Sequence, residues 1–376
     1  MNGKRIIAEV ISGSQNLSIY DVGETINRLA LKIGKKPSEI LKLNSNENFF
    51  VPLDFIRNIL EQIVEEIDPR IYPRDELREL KEAIAEYHNI SPNNVVIGAG
   101  SDQLIDLTSR IFLKNDYEAL SIEPTFGIYE RFTRLQGAIY RGVPLKDDFS
   151  LDIDAILSSV TPKTRIIFIC SPNNPTANQF KRDEIMYLAE RFDGLVAVDE
   201  AYADFATATL IDVVDSLENV LVFRTFSKAF GLAGLRIGYA VTNERLAKTI
   251  SERFQMPYPV SVTAVKAVTK MLERAEYIKT LVKEVKAERS RLIDSLNRIR
   301  GVRAFPSETN FVLFQVNRDS LTTYRGLLNR GVIVRNIGRV LRFENCLRVT
   351  VAPAPMMDRF IRELEGVLGE DVWEVY

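Results

Sequence analysis

The segment RTFSKAFGLAGLRIGY, residues 224–239, sets Lys228 directly after Ser227 and Arg236 eight residues further on, with small and apolar residues between. A lysine attacks a carbonyl only after losing its proton, so a nucleophilic lysine is desolvated or held near a second cation. The apolar run supplies the desolvation, and Arg236 is a candidate for the cation. This layout suits a buried lysine that forms an imine with an aldehyde cofactor, while Ser227 and Arg236 hold that cofactor's phosphate. Taken alone, Lys228 reads first as a surface lysine in a helix–loop segment, and the rest of the chain shifts that balance.

Other residues match this chemistry. Gly100-Ser101-Asp102 follows an apolar run and opens a helix, where free backbone N–H groups and the helix dipole favour an anion such as phosphate. SPNNPT (171–176) follows the run IIFIC, and its prolines fix a turn from which Asn173 and Asn174 can project their amides. Asp199 ends the run GLVAVD, and a carboxylate at the end of a buried strand is costly unless paired. A pyridinium nitrogen would be such a pair, and an Asp partner makes that ring an effective electron sink. Tyr202 lies three residues on, and Phe126 in EPTFGIY can stack on a planar ring. Each residue has a plainer alternative: an Asx turn, a helix cap after Glu200, or core packing for Phe126.

The elements that must bring them together alternate. Residues 1–43 read as an extended arm plus one helix, with Val22, Ile26, Leu29 and Ala30 at helical spacing. A second helix runs from Asp54, its candidate cap, to Ile67, and a third carries Leu77, Leu80, Ile84 and Tyr87. Seven apolar runs then alternate with helices: VVIGAG, EALSIEP, AIYRGVPL, RIIFICSP, GLVAVDE, NVLVFRTF and RIGYAVT. That pattern predicts an α/β fold with a mostly parallel seven-stranded sheet covered on both faces by helices. In such sheets ligands sit at the carboxyl ends of the strands, where the candidate residues fall. From about 259 the chain turns to long charged helices, and after Gly301 to short strands and two helices, a smaller α+β domain. The expected division is an N-terminal arm and helix (1–43), a large domain (44–272) and a small C-terminal domain (273–376).

Composition excludes several classes. The 376 residues, 46% hydrophobic and 27% charged, are ordinary for a globular chain of about two domains. Lys+Arg 49 against Asp+Glu 51 gives no electrostatic reason to expect nucleic acid or an acidic membrane. Two cysteines, Cys170 and Cys346, argue against a disulfide framework or a thiolate metal site and for a reducing compartment. One histidine, His88, rules out multi-histidine metal sites and reads as a C-terminal helix charge. With no signal peptide and no apolar run of membrane-spanning length, the expected location is the cytoplasm.

These pieces together resemble the fold-type-I pyridoxal-phosphate aminotransferases, and within them most closely the histidinol-phosphate group. The resemblance runs from about Tyr20 to about Leu364. It rests on LNSNEN (43–48), YPRDELRELKEAIAEY (72–87), GAGSDQLIDL (98–107), EPTFGIY (123–129), SPNNPT, VDEAY (198–202), the lysine segment, NFVLF (310–314) and CLRVTV (346–351). It implies pyridoxal 5'-phosphate as cofactor, with Lys228 forming the imine and moving the proton. Asp199 is then the partner of the ring nitrogen, Asn174 and Tyr202 bind the ring oxygen, and Phe126 stacks on the ring. The phosphate falls to the Ser101 and Asp102 backbone, Ser227 and Arg236, with Thr225 assisting. Tyr72 is implied to reach the phosphate of a partner subunit, making a homodimer with shared active sites. Arg348 is implied to bind the substrate end nearest the amine and Arg335 the distal anion, with Tyr20, Glu47 and Asn48 lining the pocket. A strand-end salt bridge is the other reading of Arg335. The implied reaction is ping-pong transamination between glutamate and imidazole-acetol phosphate. The chain departs from the family pattern at Ala177, Gln103, Phe49-Phe50 (expected at the pocket rim) and APAPMM (352–357). An aromatic amino-acid aminotransferase and a threonine-phosphate decarboxylase are the competing activities.

Overall fold

The structure, a computed structural model, describes residues 2–17 and 25–369. The chain opens with α1 (Asn2–Gly13) and α2 (Ile26–Lys32), then β1 (Leu41–Lys42), α3 (Leu53–Val64) and α4 (Asp75–His88). The large sheet is built from β2 (Val95–Gly98), β3 (Glu118–Glu123), β4 (Ile139–Pro144), β5 (Thr164–Cys170), β6 (Leu195–Asp199), β7 (Val220–Thr225) and β8 (Gly238–Thr242). Between them run α5 (Ser101–Phe112), α6 (Ile128–Leu135), α7 (Ile153–Ser158) and α8 (Arg182–Arg191). The sheet has seven strands in the order β2-β8-β7-β6-β5-β3-β4, parallel except for β8, which is antiparallel to both its neighbours.

The period-two alternation of the central strands sorts their side chains onto two cores. Ile167, Ile169, Val196, Val198, Val220 and Val222 enter one; Ile166, Phe168, Leu195, Ala197, Leu221 and Phe223 enter the other. Burial on both faces is why these runs read as continuously apolar. Asp199 has the parity of Leu195 and Ala197, so its carboxylate emerges on the face of Phe168 and Tyr129, which stack at 5.1 Å.

The rest comprises α9 (Glu244–Thr249), α10 (Val262–Leu272), α11 (Ala275–Arg298), β9 (Val302–Ala304), β10 (Phe311–Val316), α12 (Ser320–Asn329), β11 (Val332–Ile333), β12 (Arg335–Val340), β13 (Phe343–Thr350) and α13 (Ala354–Gly369). β12-β13-β10-β9 form a smaller antiparallel sheet, and α11 buries Ile278, Leu281, Val282, Val285, Leu292 and Leu296 along one stripe. The run GVIVRN is two strands: β11 pairs in parallel with β1, and β12 pairs with β13. β1 and β11 form a separate two-stranded sheet, and residue 43 is tied to the small sheet through Thr350 of β13, whose N–H and hydroxyl both donate to the Leu43 carbonyl at 2.9 and 2.8 Å. The LNSNEN segment is thereby laid across the opening between the sheets.

Three expectations are corrected. Residues 2–13 are helical, not extended, with Ile6, Ile7, Val10 and Ile11 exposed. Asp54 is not a cap: Pro52 precedes α3, and Asp54 pairs with Arg57 at 3.0 Å. His88 is not a helix-end charge. Its Nε2 lies 2.6 Å from the Tyr239 hydroxyl, and burial together with the Arg224 cation lowers its pKa to about 3, so the ring is neutral.

Candidate active site

A cavity of about 850 Å³ opens at the carboxyl ends of β3, β5, β6 and β7, between the large sheet and β12–β13. Lys228 enters it from the loop after β7. Phe226, Ala229, Phe230 and Leu232 are buried around this loop, and the Lys228 Nζ donates to the Ser45 carbonyl at 3.1 Å. Burial lowers the lysine pKa to about 8. Arg348 is the larger cationic contributor and Arg236 the smaller, with Glu47 and Asp102 opposing them. Near neutral pH a useful fraction is therefore the nucleophilic amine. The sequence pointed to Arg236 as the activating cation; Arg348 takes that part because β13 brings it in from the other sheet.

Asp199 is 3% exposed. Burial pushes its pKa up to about 6 even though two donors favour the anion, the Tyr129 hydroxyl at 2.8 Å and the Ala201 N–H at 3.0 Å. Its partners among the described residues are neutral donors, an arrangement that a cationic ring nitrogen would complete. Tyr129 was not picked out from the sequence, although a buried carboxylate requires such a donor.

The anion corner is built by backbone. Gly100 caps α5 at φ 83°, and a Cβ there would stand 2.8 Å from the Arg236 Nη2. A Cβ on Gly238 would lie 2.7 Å from the Ser101 nitrogen. The Thr225 hydroxyl accepts from the Ser227 N–H at 3.1 Å and donates to the Ser227 Oγ at 2.9 Å. Arg236 reaches the Ser227 Oγ at 3.4 Å and pairs with Asp102 at 3.3 Å. Hydroxyls, a guanidinium and a helix N-terminus thus converge on one small concavity, which fits a phosphate monoester.

The opposite wall carries two arginines of the smaller sheet. Arg348 donates to Asn174 Oδ1 at 2.5 Å and to the Asn44 carbonyl at 2.8 Å. Arg335 faces Arg348 directly across the β12–β13 ladder, and both line the cavity. The Tyr202 hydroxyl, its pKa raised by burial, accepts from Asn46 Nδ2 at 2.9 Å. Phe126 lines the cavity from the turn two residues before α6, edge-on to Tyr129 at 5.8 Å. Glu47 also lines it, paired with Lys42.

Other expected residues lie elsewhere. Asn173 is structural: its amide donates to the Pro124 carbonyl and the Thr176 hydroxyl and accepts from Thr125. Asn48 does not line the cavity, because its amide is consumed by the Ala229 carbonyl at 2.8 Å and the Phe50 N–H at 3.0 Å. Phe49 and Phe50 are likewise absent from the lining, contrary to the rim position expected of them. Tyr72 stands outside its own chain's cavity, 71% exposed and stacked on Tyr258 at 4.5 Å. Tyr20 lies outside the described residues. Sequence reasoning missed Asn44, Ser45 and Asn46, as well as Arg131 and Arg339 at the mouth. The three consecutive polar residues of LNSNEN were the available signal for the first group.

The family profile for aminotransferase class I and II matches residues 38–364, and this chain belongs to that family. Among its relatives is the histidinol-phosphate aminotransferase of Thermoanaerobacter pseudethanolicus, 36% identical over 329 residues, which cover 87% of this chain and 93% of that one. The enzyme of the same name from Methanosarcina mazei is 36% identical over 92% of this chain and 93% of its own. Among solved structures, histidinol-phosphate aminotransferase from Sinorhizobium meliloti in complex with pyridoxal-5'-phosphate superposes with a TM-score of 0.85 at 25% identity, covering 95% and 96% of the two chains. L-threonine-O-3-phosphate decarboxylase from Porphyromonas gingivalis shares the fold, with a TM-score of 0.76 at 22% identity over 88% of this chain and 100% of that one.

Proposed function

We propose that this chain is a pyridoxal 5'-phosphate-dependent transaminase that moves an amino group between glutamate and imidazole-acetol phosphate, giving 2-oxoglutarate and histidinol phosphate. When bound, the cofactor supplies a protonated pyridine ring that delocalises the electron pair left on the substrate Cα. Asp199 would hold the ring nitrogen's proton, Asn174 and Tyr202 would bind the ring oxygen, and Phe126 would pack against the ring. The Ser101 and Asp102 backbone, Thr225, Ser227 and Arg236 would hold the phosphate. Lys228 would bind the cofactor and move the proton at the substrate Cα, a task suited to an amine of pKa about 8.

The observation that carries the substrate reading is the register pair Arg335 and Arg348. Two guanidiniums on adjacent strands enter one cavity, and Arg339, further along the same strand as Arg335, also lines it. Planar forks of this kind favour substrates with an anion at the distal end. Of the three rings that could favour an aromatic amino acid, Phe49, Phe50 and Phe126, only Phe126 is in the described lining, which weakens that alternative.

The working unit in this reading is a homodimer in which Tyr72 serves the partner's site. Its 71% exposure beside the exposed Ile71, Met256 and Tyr258 supports that role. The expected division at 1–43, 44–272 and 273–376 is part of the same reading. A reducing, cytoplasmic setting accords with two free, buried cysteines, and no helix among the described residues is long and apolar enough to cross a membrane. The test is Arg335→Ala. It should weaken kcat/KM for histidinol phosphate by about tenfold or more, the scale of a lost charge-assisted contact, and weaken glutamate's half-reaction less. Equal losses would remove Arg335 from the distal-anion role.

A further inference from the structure

A second cavity, of about 360 Å³, lies behind the active site, between the 203–209 loop and α11. Three pairs of consecutive residues divide between the two cavities. Tyr202, Thr225 and Lys228 line the first, and Ala203, Arg224 and Ala229 line the second. The cavities therefore stand back to back across the strand ends that carry the catalytic groups.

The chemistry of the second cavity is cationic. Lys279, Lys283 and Lys286, at i, i+4 and i+7, project from one face of α11 into it. Arg224 forms part of its floor with only 7% of its side chain exposed. Its ion pairs are loose, at 3.4 Å to Glu200 and 3.5 Å to Asp204, and its buried Nε and Nη1 make no hydrogen bond. A guanidinium this buried, with donors unfilled, is one that a further acceptor would satisfy. Opposing it on the wall is Asp204, which also accepts from the Tyr87 hydroxyl at 3.3 Å. Lys279 is shared with Glu276 at 2.6 Å, and Lys286 donates to the Ala206 carbonyl at 3.2 Å. Four cations against Asp204, Glu200 and Glu276 leave a concavity of small net positive charge, near the lower end of the ~300–1,000 Å³ range of small-molecule sites.

We propose that this cavity binds a compact phosphate-bearing anion, and that its occupancy tunes the active site through the shared residues 202–204 and 224–229. An anion drawn between α11 and Arg224 competes with Glu200 and Asp204 for the guanidinium. It thereby loads the chain next to Asp199, Tyr202 and Thr225. The coupling is that of a ligand whose binding free energy differs between two positions of those strand ends.

The test uses the cofactor-loaded enzyme, whose cofactor phosphate site is filled, with inorganic pyrophosphate as probe. Lys279→Ala/Lys283→Ala changes two exposed side chains outside the catalytic machinery and should leave the fold and basal activity intact. Calorimetric titration should find one more pyrophosphate per chain in the wild type than in the double variant; any competition at Arg335 and Arg348 is common to both. At saturating glutamate, where that competition vanishes, pyrophosphate should change the wild-type half-reaction rate by about fivefold, and the variant's rate should not respond. Identical titrations of the two proteins would overturn the site. A lost pyrophosphate with identical saturating rates would overturn the coupling. The titration decides the site whether or not glutamate is the donor.

Discussion

Tyr129→Phe isolates the least visible part of the site. The substitution keeps the ring that stacks on Phe168 and removes only the hydroxyl that donates to Asp199 at 2.8 Å. Tyr129 has no exposed surface, so water does not replace the donor. A hydrogen bond to a charged group is worth about 1.5–3 kcal/mol. At 1.36 kcal/mol per unit, its loss raises the Asp199 pKa by about one to two units. The direction follows from the bond's favouring the anion. Burial already holds the folded pKa at about 6, above the ordinary 3.8, so folding disfavours the ionised Asp199. That penalty is absent below the unfolded pKa, grows as pH rises, and is complete above the folded pKa. The variant, with a still higher folded pKa, should therefore match the wild type at pH 5 and fall about 1.3–2.3 kcal/mol below it at pH 8. Urea denaturation of the cofactor-free protein at the two pH values measures this, and the acid limb of kcat/KM in the loaded enzyme should move to higher pH. A stability loss equal at both pH values, with an unmoved limb, would refute the reasoning and leave Tyr129 a packing residue.

Gly238→Ala should lower cofactor affinity by about tenfold or more, since its Cβ would press on the Ser101 nitrogen and the Arg224 carbonyl, both at 2.7 Å. Equilibrium dialysis against the cofactor measures it, and unchanged affinity would remove Ser101 from the phosphate corner. His88→Gln should flatten acid destabilisation. The wild-type ring, with a folded pKa of about 3 against an ordinary 6.5, stays neutral while the unfolded chain takes up a proton. Between pH 6.5 and 5 the wild type should therefore lose about 2 kcal/mol that the variant does not. Parallel denaturation curves for the two proteins would show that His88 titrates normally.

The large sheet was legible because its central strands are buried on both faces, so their runs read as continuously apolar, whereas the edge strand β4 is mostly exposed. Lys228, Asp199, Asn174 and Arg236 were legible because each sits where a strand or turn ends, with few other jobs for its chemistry. Residues that depend on distant elements were not. Tyr129 reads as core until Asp199 is seen above it. Asn48 reads like its neighbours in LNSNEN until the Ala229 carbonyl claims its amide. Arg348, not Arg236, is the dominant cation on Lys228 because two sheets meet there, a fact of tertiary structure. His88 misled because a helix-end position is commonly solvated, whereas here Tyr239 of β8 covers it. The α1 helix escaped because its apolar side chains, exposed in the chain as described, leave no core to infer.

The most direct measurement is the half-reaction of the purified, cofactor-loaded protein. Histidinol phosphate, phenylalanine and O-phosphothreonine would be added separately and loss of the visible absorption band followed, with Lys228→Ala as the inert control. Fast conversion by histidinol phosphate alone is the predicted result. Equal or faster conversion by phenylalanine, or carbon dioxide released from O-phosphothreonine, would contradict it.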